Sequence, residues 1–99
     1  MSGIRVVIDA DLEDLIPRFL QNRHQDLDTL STALEQGDND QIGKIGHRLK
    51  GAAGSYGFAD LSDMGVELQL QAQRNDLKRA ALVVERIADY MARVQIVYQ

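Results

Sequence analysis

The chain contains no cysteine and no tryptophan, and its single proline is Pro17. Without cysteine there can be no disulfide, no thiolate nucleophile and no Cys-ligated metal. That usage fits the cytosol, and a cytoplasmic location is expected. No apolar run is long enough to span a membrane. The N-terminal run Ile4 to Ile8 is broken by Arg5 and stopped by Asp9, too short for a signal-peptide core. Positive charge is also scarce: 11 Lys and Arg stand against 15 Asp and Glu, a formal net charge of -4. A negative domain without a basic stripe is a poor partner for nucleic acid or for an anionic membrane surface, so neither is expected. What remains is ordinary globular material. Hydrophobic residues at 44% and charged residues at 26% argue against disorder, and 99 residues make one domain, 1–99, with 1–8 read as a loose lead-in.

Apolar residues recur at helical spacing in four stretches. The first covers about residues 11–36, with Leu12, Leu15, Ile16, Phe19, Leu27, Leu30 and Leu34 in register. Asp9 or Asp11 can cap it, and Pro17 should kink it or split it into a short and a long helix. The second runs from about Asn39 to Tyr56, with Asp38 and Gln41 spaced as a capping box and Gly57 placed as a left-handed stop. The third covers about 59–74 and the fourth about 76–97, separated by the turn Arg74-Asn75-Asp76. Val6–Ile8 is too short to count as a strand. Helices joined by two to four residues pack antiparallel, so the expected fold is all-α: an up-down-up-down four-helix bundle. A single-domain bundle of this kind is expected to be a monomer.

The second helix breaks its own rules. Gly43, Gly46, Gly51 and Gly54 all lie inside it. Each interior glycine costs roughly 0.8–1 kcal/mol relative to alanine, in a protein whose whole stability is about 5–15 kcal/mol. Such violations mark tight packing or function. With Ile42 at zero on a wheel of about 100° per residue, Ile45, Leu49, Ala53 and Tyr56 fall on the core side. Gly46 falls beside them, at about 40°, where a neighbouring helix approaches closely. His47 falls at about 140°, on the solvent side, with Gly43, Gly51 and Gly54 at i−4, i+4 and i+7 and Lys50 at i+3. An exposed imidazole thus stands on a face stripped of side chains, open to another protein.

A lone surface histidine is usually solvated decoration; the glycine platform is what raises this one above that. A metal site is not expected, because no carboxylate lies at i±3 or i±4 of His47. A Ser-His-acid triad fails because Ser55 lies on another face. Neutral imidazole is a nucleophile that forms covalent, including phosphorylated, intermediates. Lys50 can offset the added charge of a phosphoryl group. The chain has no GxxxxGK[ST] loop and no acidic pair beside His47, so it lacks machinery to load such a group and a partner must do so. No cofactor is expected.

The run His47-Arg48-Leu49-Lys50-Gly51-Ala52-Ala53-Gly54-Ser55-Tyr56-Gly57 resembles the signature of histidine-containing phosphotransfer domains. The Phe19 region, the Gly37-Asp38 turn, the Leu61 to Leu68 stretch and the Asn75-Asp76-Leu77 turn also fall where that family has them, so the likeness covers about residues 9–97. The family commonly has Ser where this chain has Ala52. The resemblance implies an antiparallel four-helix bundle, often with a short extra N-terminal helix. It implies His47 as phosphoacceptor, Lys50 as the accompanying cation and Gly51, Ala52 and Gly54 as the small-residue platform. It also implies partners: receiver domains of response regulators or hybrid kinases, which bring the Mg²⁺ and the phosphorylated aspartate. The protein would then be a phosphoryl carrier rather than an enzyme, passing phosphate from one receiver to another. Two other readings stand beside this one. In the first, the bundle binds a receiver or kinase as an inhibitor without carrying phosphate. In the second, it is a structural bundle whose glycines serve only packing. Leu20, Arg23 and Leu27 on the first helix are candidates for the rim of a docking surface that includes Gly43, Gly51 and Gly54. His24 is expected in solvent, and Val66 and Leu70 on a small exposed patch or the edge of the core.

Overall fold

The computed structural model describes residues 3–99. In chain order it contains strand β1 (Ile4–Ile8), a 3₁₀ helix (Ala10–Leu15), helices α1 (Ile16–Gln36), α2 (Asn39–Tyr56), α3 (Ala59–Gln73) and α4 (Leu77–Arg93), and strand β2 (Val94–Tyr98). The four α-helices form the expected bundle.

The helix boundaries follow from short-range chemistry. The Asp9 carboxylate accepts a hydrogen bond from the Asp11 N–H at 2.9 Å and opens the 3₁₀ helix. Pro17 sits in the first turn of α1, where its missing N–H is unpaired in any case, so the first stretch is split rather than kinked. Asp38 caps α2 by accepting from the Gln41 N–H at 3.1 Å, and Asp76 caps α4 by accepting from the Arg79 N–H at 3.0 Å. Gly57 ends α2 at φ 93°, a conformation that carries little cost only without a Cβ.

The core is a single cluster. Phe19, Leu30, Ile42, Ile45, Leu49, Ala53, Phe58, Leu61, Leu68, Ala80, Val83 and Ile87 are all buried in it. Phe19 stacks on Phe58 with ring centroids 4.8 Å apart and meets Tyr56 at 5.0 Å. This joins the start of α1 to the α2–α3 turn.

Both chain ends depart from the expected pattern. Residues 4–8 are not a loose lead-in: they form β1. The fourth helix does not reach residue 97: it stops at Arg93, and Val94 is already extended at φ -64° and ψ 131°. Residues 1 and 2 lie outside the described residues. β1 and β2 pair in parallel, Ile4 with Val94 through Ile8 with Tyr98. Val94 continues the apolar spacing of α4, which is why the segment reads as helix. Its companions Ile96, Val97 and Tyr98 are β-branched or aromatic, and these residues favour a strand once a partner strand supplies the ladder. Ile4, Val6, Val94, Ile96 and Tyr98 pack against the core from one face of this ribbon. Ile8 at its end is fully buried near Gly57. The all-α reading therefore holds for the bundle, with a minor two-stranded ribbon added at one end.

Tyr90 on α4 is buried, and its hydroxyl has no hydrogen-bond partner among the described residues. Burial first, and the negative charge of Asp60 second, push its phenol pKa up to about 12.

Candidate functional site

α2 is held on two sides and bare on a third. On the α3 side the two backbones meet directly. A Cβ placed on Gly46 would lie 2.8 Å from the Gln69 nitrogen and 2.9 Å from the Gly65 oxygen. One placed on Gly65 would lie 2.6 Å from the Lys50 nitrogen and 2.8 Å from the Gly46 oxygen. Neither position has space for a side chain, so Gly46 has the packing role its wheel position predicts. The Ser62 hydroxyl adds a hydrogen bond to the Lys50 carbonyl at 2.9 Å. α3 thus supports the segment of α2 that carries His47 and Lys50.

On the α1 side an ionic contact adds to the shared apolar core. Asp26, buried on α1, receives Arg48 of α2 at 2.5 Å and Arg23 of its own helix at 2.9 Å. The Arg23 guanidinium lies over the Phe19 ring, 5.0 Å from its centroid. The expectation that Arg23 borders a docking surface therefore meets a different geometry. Only 6% of this residue is exposed. The Asp26 carboxylate one turn away compensates its charge and lets it bury. The i, i+3 spacing of Arg23 and Asp26 was the sequence signal for this pair. Leu20 and Leu27 are half-buried and lean on the core, so each offers an edge rather than a full side chain to the surface.

His47, Lys50, Gly51 and Gly54 are all exposed, and Gly43 is half-buried. The three glycines of this face are not equivalent. A Cβ on Gly51 would meet nothing within 4 Å. One on Gly43 would rest 3.5 Å from the Ala72 Cβ, and one on Gly54 would lie 3.4 Å from the Ser62 hydroxyl. Gly51 therefore faces open solvent, whereas Gly43 and Gly54 line the seam with α3.

His47 stands in an open groove of about 580 Å³ along that seam. Its α2 wall is Asn39, Asp40, Gly43 and Lys44; its α3 wall is Gln69, Ala72 and Gln73, with Asn75 at the end. Asn39 donates to the Asn75 side chain at 3.2 Å and closes that end of the groove. The α3 wall was not foreseen from sequence. Gln69 and Gln73 are spaced i, i+4, but only the antiparallel packing of α3 on α2 brings them beside the imidazole. His24 is exposed on α1, and Val66 and Leu70 are exposed on α3, 44% and 40% respectively.

The arrangement is chemically sparse. It offers a solvent-facing imidazole, the cations Lys44 and Lys50 one turn away on either side, neutral amides opposite, and little bulk to obstruct an approaching protein. Among the described residues no group of His, Asp or Glu is placed to hold a metal ion. No described helix is long and apolar enough to cross a membrane. In comparison with protein-family models, the model described as Hpt domain aligns with residues 14–96, which spans α1 to α4 and the start of β2. No curated protein and no solved structure gave a significant match.

Proposed function

The chain belongs to the Hpt domain family of two-component signalling, and on that footing we propose that it is a cytoplasmic phosphorelay carrier with His47 as its phosphoacceptor. In the transfer step a nitrogen of the neutral imidazole attacks the phosphorus of an aspartyl phosphate on a receiver domain. The N–P bond forms as the acyl P–O bond breaks, and the receiver carboxylate departs with the bonding electron pair. Transfer to a second receiver runs the same step in reverse, the imidazole now being the leaving group. The receiver brings the divalent cation and the in-line geometry; this chain brings the nucleophile and the surface.

The observation that carries this reading is the exposure of His47 on a face where Gly51 leaves open space. A receiver must bring its active-site loops within bonding distance of the ring, and any large side chain at position 51 would hold them off. Lys50, exposed one turn from His47, supplies charge to offset a phosphoryl group of about -1.5 to -2. Gly43, Gly51 and Gly54 form the centre of the docking surface, with Leu20 and Leu27 at its α1 rim. Arg23 acts from beneath, by holding Asp26 and through it Arg48.

The test is incubation with a receiver carrying labelled phosphate in the presence of Mg²⁺. The carrier acquires label that is lost in acid and kept in base, and His47→Ala acquires none while its thermal unfolding is unchanged. A chain that binds the receiver without gaining label is an inhibitor instead. Label retained by His47→Ala would exclude this site.

A further inference from the structure

The family match begins at residue 14, so β1 lies outside it and the ribbon has no explanation in the phosphotransfer reading. A two-stranded sheet has two open edges, and unpaired edge strands are templates for further pairing unless they are blunted. The edge of β1 is identifiable. The Ile8 carbonyl accepts from the Gln99 N–H at 3.0 Å, and the Ala10 N–H donates to the Gln99 carbonyl at 2.9 Å. Even-numbered residues of this strand therefore direct their backbone groups toward β2. Backbone direction alternates along a strand, so Arg5, Val7 and Asp9 direct theirs to the other edge, which no strand among the described residues covers. The same three residues are exposed, Val7 at 49%. The edge carries no proline and no lysine.

The sequence around Val7 is self-complementary in charge. Arg5 precedes it by two residues and Asp9 follows it by two, all on one face. Arg5 has no acidic partner among the described residues, and the Asp9 carboxylate uses one oxygen to cap the 3₁₀ helix and keeps the other for a second donor. We propose that a second copy of this chain pairs antiparallel with β1 about a two-fold axis at Val7. Val7 then exchanges both backbone hydrogen bonds with its counterpart, and each Arg5 lies directly opposite the other copy's Asp9. The result is a four-stranded sheet in the order β2-β1-β1-β2. The edge of β2 has no charged side chain to set such a register. Isologous pairing is the usual symmetry of a homodimer, and opposite charges facing across strands favour it while like charges oppose it. The ribbon lies beside Gly57, at the C-terminal end of α2, whereas the His47 groove runs toward Asn39 and Asn75 at the other end. Pairing at β1 leaves both histidines open to receivers.

The test is sedimentation velocity of the whole chain across a concentration series, with circular dichroism to confirm the fold of each variant. The chain is expected to dimerise, in place of the monomer that a single-domain bundle alone suggests. Arg5→Glu, which sets Glu against Asp9 twice, should weaken the dimer by roughly tenfold or more, and adding Asp9→Arg should restore it. The absence of native cysteine permits a second readout. Facing residues in a hydrogen-bonded antiparallel pair lie about 5.5 Å apart between Cα atoms, within disulfide reach. Val7→Cys should therefore form a covalent dimer under mild oxidation much faster than Ser31→Cys, exposed on α1. A chain that stays monomeric throughout overturns the proposal. So does a dimer indifferent to Arg5→Glu, or crosslinking of Val7→Cys no faster than that of Ser31→Cys.

Discussion

Two glycines on α2, five residues apart in sequence, stand in opposite surroundings. Gly46 is pressed between backbones, where any Cβ would fall under 3.0 Å from atoms of α3. Gly51 meets nothing at all. Both carry the same helix penalty, so the contrast separates two reasons for tolerating it. At Gly46 the missing side chain is what allows α2 and α3 to touch. At Gly51 no packing contact offsets the penalty within the folded chain, and under the proposed function the benefit lies in a partner's access. The supported sides of α2 thus serve stability, whereas the proposed function assigns the bare side to access.

Substitutions can break or sharpen that contrast. The largest effect is expected on the supported side, at Asp26. Asp26→Ala leaves Arg23 buried without its counter-charge and should lower the unfolding free energy by about 3 kcal/mol, read from urea denaturation. Next comes Gly65→Ala, which forces α3 away from Lys50. A loss of roughly 1–3 kcal/mol is expected, with no repair by the better helix propensity of alanine. If Gly65→Ala were neutral, the close approach of the two helices would have no energetic significance. On the bare side the sign reverses. Gly51→Ala should raise stability by up to about 1 kcal/mol, since alanine clashes with nothing, yet slow phosphate transfer from a receiver. An unchanged transfer rate would mean that no partner uses that space. The smallest effect near neutral pH is that of Tyr90, remote from both faces. Its phenol pKa rises from the ordinary 10.0 to about 12 on folding. The neutral form is thus favoured in the folded chain, and this contribution is complete below pH 10 and lost as pH climbs from 10 to 12. A tyrosinate absorbance titration should show a step near pH 12 that Tyr90→Phe removes.

Local chemistry made most of the bundle legible in advance. Asp38 and Gly57 bracket α2 as their types predict, and the wheel places His47 in solvent and Gly46 in the seam. What escaped was decided at long range. The helical spacing of Leu77 to Met91 runs on into Val94, and nothing near that residue announces that β1 waits to pair with it. The groove wall at Gln69 and Gln73 escaped for the same reason: two amides on another helix become neighbours of His47 only after folding. Arg23 is a different case. Exposure is the ordinary fate of an arginine, and the overriding factor was a carboxylate three residues on, already visible in the sequence.

The ribbon also sets an order of events. Its two strands lie far apart in sequence, Ile4 pairing with Val94, so their ladder closes a far longer loop than the turns between successive helices. Helices and their short turns assemble from near neighbours, whereas a pairing of such separation must await a nearly complete scaffold. The ladder is therefore expected to lock late during folding and to release early. Amide hydrogens of Val6 and Ile8, which point toward β2, should exchange with solvent sooner than those buried along α2, although Ile8 itself is fully covered in the native state.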